Sequence, residues 1–341
     1  MRKSVWLLVT CATLAGCGGG GSTTSPIAVV GNAPTPTPSD TSTPTPTPSP
    51  TGALATGEVK PAADAVFISA TMDLTTTGGV SETNGIITGG MTSNRITAID
   101  TPSFSASYNS GYRLADSVNA VSFGQAQLSI DTTQRNGNGI VLFTNMGTAE
   151  DYLALYQQTT YSSSVKGAGY TTAQYGGTAG WQHTVVTGSS RHTRLDYFAY
   201  GSPTPVSAMP HSGVVKFSML SSGNYATDTD LWFLSSGSGN YITVDFGAGT
   251  VTGSLGLAGQ NFYKNVVGGI GSIPLTGSFT GNSMSVSFPY GSIGTSGGVP
   301  GQFHLLFVGP RANEIIVTYV ANDGAQAAVG AAVGVIDPNI N

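Results

Sequence analysis

Cysteine is almost missing from this chain. Of 341 residues only Cys11 and Cys17 are cysteines, and both lie near the N-terminus. A disulfide framework or thiolate metal site in the body of the chain is thereby excluded. Charge is nearly as scarce: 12 Lys and Arg stand against 17 Asp and Glu, together 9% of the residues. No basic stripe exists, which argues against a nucleic-acid partner. Histidine occurs four times, at His183, His192, His211 and His304, with no His-x-x-x-His or His-x-Glu spacing for a metal centre. No Gly-rich loop opens a helix to cradle phosphate. The apolar run at residues 5–13 is too short to span a membrane.

What is present begins with that run. Arg2 and Lys3 precede it and Leu14-Ala-Gly-Cys17 follows it. A charged head, a short apolar stretch and a lipobox ending predict a lipoprotein signal over 1–16, cleavage before Cys17 and acylation of Cys17. Acyl chains anchor through burial worth ~0.8 kcal/mol per CH₂, and several chains together hold stably. Gly18 leaves no aspartate after the lipidated cysteine to retain the protein in the inner membrane, so the expected location is the outer membrane. Residues 17–61 continue as a glycine run and Thr-Pro repeats with Pro34, Pro36, Pro38, Pro44, Pro46, Pro48 and Pro50. Such a composition buries no core and favours extended polyproline II, at ~3.1 Å per residue a stalk of roughly 50 Å.

Past the stalk the pattern has period 2. The run Gly301-Gln-Phe-His-Leu-Leu-Phe-Val-Gly-Pro310 and the run Glu314 to Val320 read as an antiparallel hairpin, with Phe303, Leu305 and Phe307 on one face and Ile315, Val317 and Tyr319 on another. Glu314, just past the turn, is placed to accept N–H groups from its own corner. Similar alternation from Val215 to Val335 gives about eight short strands, which predicts a closed up-and-down barrel over 206–341. Gly253, Gly277 and Ala331 suit its tight interior. Residues 62–205 form a second β-rich block whose sheet is expected to bury one face and wet the other. Residues 149–156 fit a short helix or a strand. Three prolines in Gly201-Ser-Pro-Thr-Pro-Val-Ser-Ala-Met-Pro210 make a crossing segment between the blocks.

Val244-Asp-Phe-Gly247, Thr252-Gly-Ser-Leu255, Gly277-Ser-Phe-Thr-Gly281, Phe307-Val-Gly-Pro-Arg-Ala-Asn-Glu314 and Ala331-Ala-Val-Gly334 together resemble the barrel signature of transferrin-binding protein B. Tyr200-Gly-Ser-Pro-Thr-Pro205 and Met209-Pro-His-Ser-Gly213 resemble that family's junction between a sheet-rich handle and the barrel. The resemblance implies an all-β fold with one handle–barrel lobe, where iron-pirating members usually carry two. It implies a surface lipoprotein that binds an extracellular protein or an iron- or haem-carrier ligand. It also implies a dedicated outer-membrane export partner and a TonB-dependent receptor. An adhesin or structural surface protein is the alternative.

Chemistry is thin. Gly294-Thr-Ser-Gly-Gly298 matches Gly-x-Ser-x-Gly but lies in a loop between strands, not on a strand–elbow–helix, so a hydrolase reading of Ser296 has little support. Asp228, Asp230 and Asp245 lack calcium-loop spacing and read as turn carboxylates. No catalytic residue, cofactor or metal site is assigned. His183 and His192 can approach across a hairpin and, with Tyr197 or Tyr200, compose an iron or haem ligand set; the other reading makes them rim histidines. Residues 108–175 are rich in tyrosine among Ser, Gly and Asn, a composition suited either to recognition or to sheet packing. The candidate ligand-binding residues are therefore Tyr108, Tyr112, His183 and His192, all in the handle. Cys17→Ser is expected to abolish membrane attachment. Detergent partitioning checks this, and a variant that still fractionates with membranes refutes the anchor.

Overall fold

The computed structural model describes residues 64–336, apart from 78–80, 84–85, 89–95, 100–104, 109–111, 116–119, 132–139, 157–158, 165–166, 189, 237–239, 262–265 and 295–297. Cys17 and the stalk lie outside the described residues. Everything described belongs to one compact unit that runs from Pro50 to Asn341.

The handle block is built of strands in chain order. After β1 (Val66–Thr77) come the short pair β2 (Ser81–Thr83) and β3 (Ile86–Thr88), then β4 (Ile96–Ile99). A three-stranded patch follows, β5 (Ser105–Tyr108), β6 (Tyr112–Ala115) and β7 (Ala120–Phe123). Next are β8 (Leu128–Asp131), β9 (Ile140–Met146) and β10 (Glu150–Tyr156), the ribbon β11 (Thr159–Ser164) with β12 (Gly167–Thr172), and the long hairpin β13 (Gly176–Thr187) and β14 (Ser190–Gly201). Residues 150–156 thus form a strand. Seven strands make one antiparallel sheet in the order β4-β1-β14-β13-β10-β9-β8.

The barrel follows with β15 (Val214–Thr227), β16 (Leu231–Ser236), β17 (Tyr241–Asp245), β18 (Thr250–Asn261), β19 (Val267–Pro274), β20 (Gly277–Ser278), β21 (Ser283–Ile293), β22 (Val299–Val308), β23 (Glu314–Asn322) and β24 (Gln326–Ile336). β24 pairs back onto β15 from Phe217↔Ile336 to Thr227↔Gln326, so the sheet closes. The ring has eight positions. β16 and β17 share one between β15 and β18, and β19 and β20 share the position on the far side of β18. Its lumen is filled: Phe217, Phe303, Leu305, Phe307, Ile315 and Tyr319 are all buried in one cluster. At one end Phe307 packs against Phe279 and Phe246 with ring centroids 4.9 and 5.6 Å apart.

Much of the glycine has a packing reason. Four aromatic rings lie flat over the glycine directly opposite on the neighbouring strand: Tyr200 over Gly177, Tyr197 over Gly180, Phe288 over Gly301 and Tyr319 over Gly330. A Cβ at these glycines would fall 2.6 Å from Tyr200 Cζ, 2.9 Å from Tyr197 Cε1, 2.7 Å from Phe288 Cε2 and 2.5 Å from Tyr319 Cζ. Glycine leaves the slot and the ring covers the bare backbone, a pairing known to rescue glycines in sheets.

Two expectations need correction. The handle sheet wets neither face where it packs: Ile68, Met72, Leu74, Leu195 and Tyr197 lie in one buried cluster with barrel residues, while Leu153, Trp181, Phe198 and Tyr200 lie in another with Tyr112, Leu114 and Phe123. Ala331 does not face the lumen. It belongs to the cluster shared with the handle, with Val329, Val333 and Val335, while Ala328 and Ala332 point into the barrel. Because every residue from Gln326 to Val335 is buried, alternation alone could not assign the faces of β24.

The barrel closes on its own hydrogen bonds, so we propose that residues 206–341 fold as a unit. That fragment leaves Leu306, Val308, Ile316, Val320, Val329 and Val333 uncovered, all buried in the whole chain. An apolar strip of this kind drives association. Size-exclusion of the fragment is expected to show self-association; a stable monomer at high concentration would contradict the covering role of the handle.

Candidate binding surface

The handle sheet lies along the wall made of β15, β23 and β24, and its strands outrun the barrel. Gly201, at the end of β14, sits where the Pro203↔Val308 bridge ties the chain to the end of β22. Four residues back, the Tyr197 hydroxyl donates to Asn224 Oδ1 at 2.6 Å. Asn224 is near the end of β15 at Thr227, whereas β14 still extends back to Ser190. At ~3.3 Å per residue the stretch 190–197 is roughly 20 Å of strand. The β13–β14 turn therefore projects past the rim, and there Val185, Val186 and His192 are exposed.

The same rim carries three barrel turns. The 227–230 turn is held by Asn261 Nδ2, which donates to Asp230 Oδ1 at 2.7 Å. Gly294 N donates to Ile270 O at 2.7 Å, and the Tyr225 hydroxyl donates to Gln326 Oε1 at 2.7 Å. Near these turns Val266, just before β19, Val267 at its start and Tyr290 near the end of β21 are exposed, Tyr290 at 74% of its surface. Tyr290 lies over Gly298, where a Cβ would fall 3.0 Å from its Cδ1. The large exposed apolar side chains at this rim thus come from strand ends of both sheets. Desolvation acts to raise the Asp323 carboxyl group, but the backbone N–H and side-chain amide of Gln326 and the N–H of Ala325 together outweigh it and hold the group below the ordinary carboxyl range.

The histidines and tyrosines singled out from the sequence fall on both sides of this boundary. His192 is exposed on the overhang. His183 is buried: its Nδ1 lies 2.8 Å from Asp151 Oδ1, which also accepts from Trp181 Nε1 at 3.0 Å. His183 is opposite Arg194 in the register and His192 is opposite Val185, so the two histidines are diagonal neighbours, one packed and one open. Tyr197 and Tyr200 point to opposite faces of the sheet and both are buried, so neither joins the exposed His192 in a ligand set. Next to His183, Arg194 Nε donates to Asp196 Oδ2 at 3.0 Å and its Nη1 is 3.7 Å from Asp73 Oδ2; Thr71 donates to Asp196. Arg194 thus pairs along its own strand with Asp196 and across to Asp73 on β1, and Thr71 joins Asp196 from β1, which gives the sheet a partly buried polar row. No group of three or more potential metal ligands occurs among the described residues.

Tyr112 is a core residue, 4% exposed and packed on Phe143 at 5.9 Å between ring centroids. Its neighbour Tyr108 lies on β5, and its side chain is outside the described residues. The tyrosine-rich composition of the handle, where described, is packing: Tyr152 is buried as well. Sequence reading missed the valine pairs at 185–186 and 266–267. Two adjacent valines followed within two residues by glycine, as in Val185-Val186-Thr187-Gly188 and Val266-Val267-Gly268-Gly269, are the available signal. In a hairpin one of two neighbours necessarily points out of the core.

No protein-family model matches the chain, and no curated protein matches it. Among solved structures, the chain is similar to the haemoglobin receptor HpuA from Kingella denitrificans, at 13% identity and a TM-score of 0.37 over 84% of this chain and 90% of that one. It is also similar to a transferrin-binding protein B double mutant from Haemophilus parasuis, at 10% identity and a TM-score of 0.32 over 80% and 76%. The N-lobe of lactoferrin-binding protein B from Moraxella bovis matches at 12% identity and a TM-score of 0.29 over 79% and 99%. At these levels none of the likenesses assigns a ligand.

Asp151→Ala is expected to strip two buried donors of their acceptor at once. The cost is about 2–4 kcal/mol. A lower urea midpoint at unchanged slope measures it; a midpoint within error of the parent would refute the network.

Proposed function

We propose that the chain is an outer-membrane lipoprotein, anchored by Cys17 and facing outward, that binds an extracellular macromolecule of the iron- or haem-carrier kind and catalyses no reaction. The observation that carries this reading is the rim, where Val185, Val186, Val266, Val267 and Tyr290 are exposed at or beside strand ends of both sheets. Single exposed apolar residues are ordinary; several on one end, with a large aromatic among them, fit a protein-binding face. The packed lumen supports a surface mode of binding, since Phe303, Phe307 and Tyr319 fill it. The ligand class follows the resemblance of the barrel and junction motifs. On this reading the ligand passes to a TonB-dependent receptor, and a dedicated outer-membrane partner exports the lipoprotein.

His192 belongs to the proposed face. Tyr112 and His183 act through the sheet that holds the face, not by touching a ligand, since both are buried. The long Thr-Pro stalk also fits an adhesin, and one experiment separates the two. Surface-displayed chain is offered immobilised transferrin, lactoferrin and haemoglobin. Capture of one of them, weakened at least tenfold by Val186→Asp with Tyr290→Ala at unchanged melting temperature, is the expected result. Capture of none of the three, with cell attachment retained, would replace the carrier-binding reading with the adhesin.

A further inference from the structure

The barrel ring is not joined equally all the way round. β15 and β24 share eleven residue pairs, whereas β19 and β21 share two, Gly271↔Ile293 and Ser272↔Ser292. One more bond, from Gly294 N to Ile270 O at 2.7 Å, continues that contact toward the rim. Away from the rim no ladder joins the two sides. β20 pairs with β18 instead, and the Thr280↔Ser283 bridge ties only the turn before β21. The sequence supplies the reason. Pro274 ends β19 and Pro289 interrupts β21, and neither has an N–H to give. β21 also bulges between Phe288 and Gly291. Proline and bulges of this kind mark a strand edge. Gly271 fits against its partner only as glycine: its φ is +130°, and a Cβ would fall 1.7 Å from Ser292 O. Farther down, β20 leans on side chains, since a Cβ on Gly277 would fall 2.7 Å from Val286 Cγ2 and 2.8 Å from Met284 Cε. Val286 is opposite Phe303 and packs on the lumen cluster, yet it is partly exposed.

The two banks of this seam are held differently. β21 pairs with β22 from Ser283↔Leu306 to Gly291↔Val299, and the handle grips the corner between β22 and β23. Thr204 N donates to Phe307 O at 2.9 Å, the Thr204 hydroxyl donates to Gly309 O at 2.7 Å, and Gly309 N donates to Ser202 O at 2.9 Å. Glu314 adds a second grip: its carboxylate accepts N–H bonds from Gln174 at 2.6 Å, Tyr175 at 2.9 Å and Gly176 at 2.8 Å. The expectation that Glu314 caps its own corner is thus wrong. That corner uses Asn313 Oδ1 for Arg311 N and the Thr204 hydroxyl for Ala312 N. On the other bank, no described residue of β17 to β20 belongs to the buried cluster shared with the handle. Those strands hang from β15 through ladders of four or five pairs each.

We propose that this seam is a joint: β16 to β20 swing away from β21 there, while β21 to β24 and β15 stay with the handle. Opening along one weakly paired edge, short of global unfolding, costs only the contacts of that edge. The rim face crosses the joint. Val266 and Val267 ride on the β19 bank, whereas Tyr290 on β21 and Val185 and Val186 on β13 stay on the other. On the reading of that rim as a protein-binding face, a partner that touches both banks holds the joint shut. By linkage, the closed joint then binds that partner more tightly.

With Cys17→Ser, the mature chain has no other cysteine, so a single reporter thiol can be followed. Ile273→Cys places it on the seam and Val317→Cys places it between β22 and β24; both side chains are fully buried in the lumen cluster. The native chain is treated with 5,5′-dithiobis(2-nitrobenzoate) and the labelled chain is read by mass. Labelling at 273 is expected to be more than about tenfold faster than at 317. Gly271→Ala, whose methyl group would strike Ser292, is expected to speed 273 by about tenfold again and leave 317 unchanged. Saturation with whichever of transferrin, lactoferrin or haemoglobin is captured is expected to slow 273 by about tenfold or more. A smaller ratio between the two sites, labelling of neither without denaturant, or Gly271→Ala acting on both alike would overturn the joint. A rate at 273 unchanged by the captured carrier would overturn its closure by a partner. Capture of none removes the rim reading, and the ratio of the two labelling rates still decides the joint. If either reporter fails to fold, Leu275→Cys and Ile315→Cys, equally buried, replace the pair.

Discussion

The wall formed by β23, β24, the last four residues of β22 and one half of β15 is buried on both faces, and the rest of the molecule is arranged to satisfy it. Glu314 through Ala321 are buried without interruption, as are Gln326 through Val335. One set of side chains fills the lumen and the alternate set needs a cover. A barrel strand ordinarily alternates between a packed interior and solvent. Here the second face meets β1, β13 and β14 of the handle, which bring Ile68, Met72, Leu195 and Tyr197 to it. Burial at about 25 cal/mol per Å² is what holds the two sheets together, and the hydrogen bonds at the corner fix their register.

Several polar groups in the contact are matched, although the Ser222 and Thr318 hydroxyls, buried on the same face, have no hydrogen-bond partner among the described residues. Asn224 accepts from Tyr197 and donates to Trp232 O at 3.1 Å, so its amide is used on both sides. Thr204, itself fully buried, bonds Phe307, Gly309 and Ala312, while its own carbonyl accepts from Asn282 Nδ2 at 2.7 Å. A buried polar group left unmatched would cost about 1–3 kcal/mol, so each crossing contact specifies position more than it adds stability. The proline-rich segment thereby becomes an ordered part of the fold, bridging Pro203 to Val308.

The sequence exposes the barrel because alternation is a local signal. Phe303, Leu305 and Phe307 against Ile315, Val317 and Tyr319 needed only a turn between them to become a hairpin, and the antiparallel register pairs Phe303 with Tyr319, Leu305 with Val317 and Phe307 with Ile315. What was illegible was set by partners far along the chain. His183 and Asp151 are 32 residues apart, and the pairing of β10 with β13 brings them opposite. Glu314 takes its donors from 138 to 140 residues away. The tyrosines misled for a different reason. Small residues beside a tyrosine suit an adaptable binding loop, yet in a sheet the same composition supplies the bare glycine on which a ring lies. Only the register distinguishes the two, as Tyr200 opposite Gly177 and Tyr197 opposite Gly180 demonstrate.

The double burial of the wall also limits where recognition can occur. The lumen is occupied and the central outer wall is covered, so large side chains that remain exposed fall at the ends of strands. Val66, Val206 and Val214 lie toward the end where the described chain begins; Val185, Val186, Val266, Val267 and Tyr290 lie toward the other. The bond from Ser202 to Asp64 at 2.7 Å ties the start of the described chain to the junction, and so to the end that carries the first group. The second group sits at the opposite end, on strand ends held by the hairpins behind them, and it is there that both sheets offer uncovered apolar side chains together.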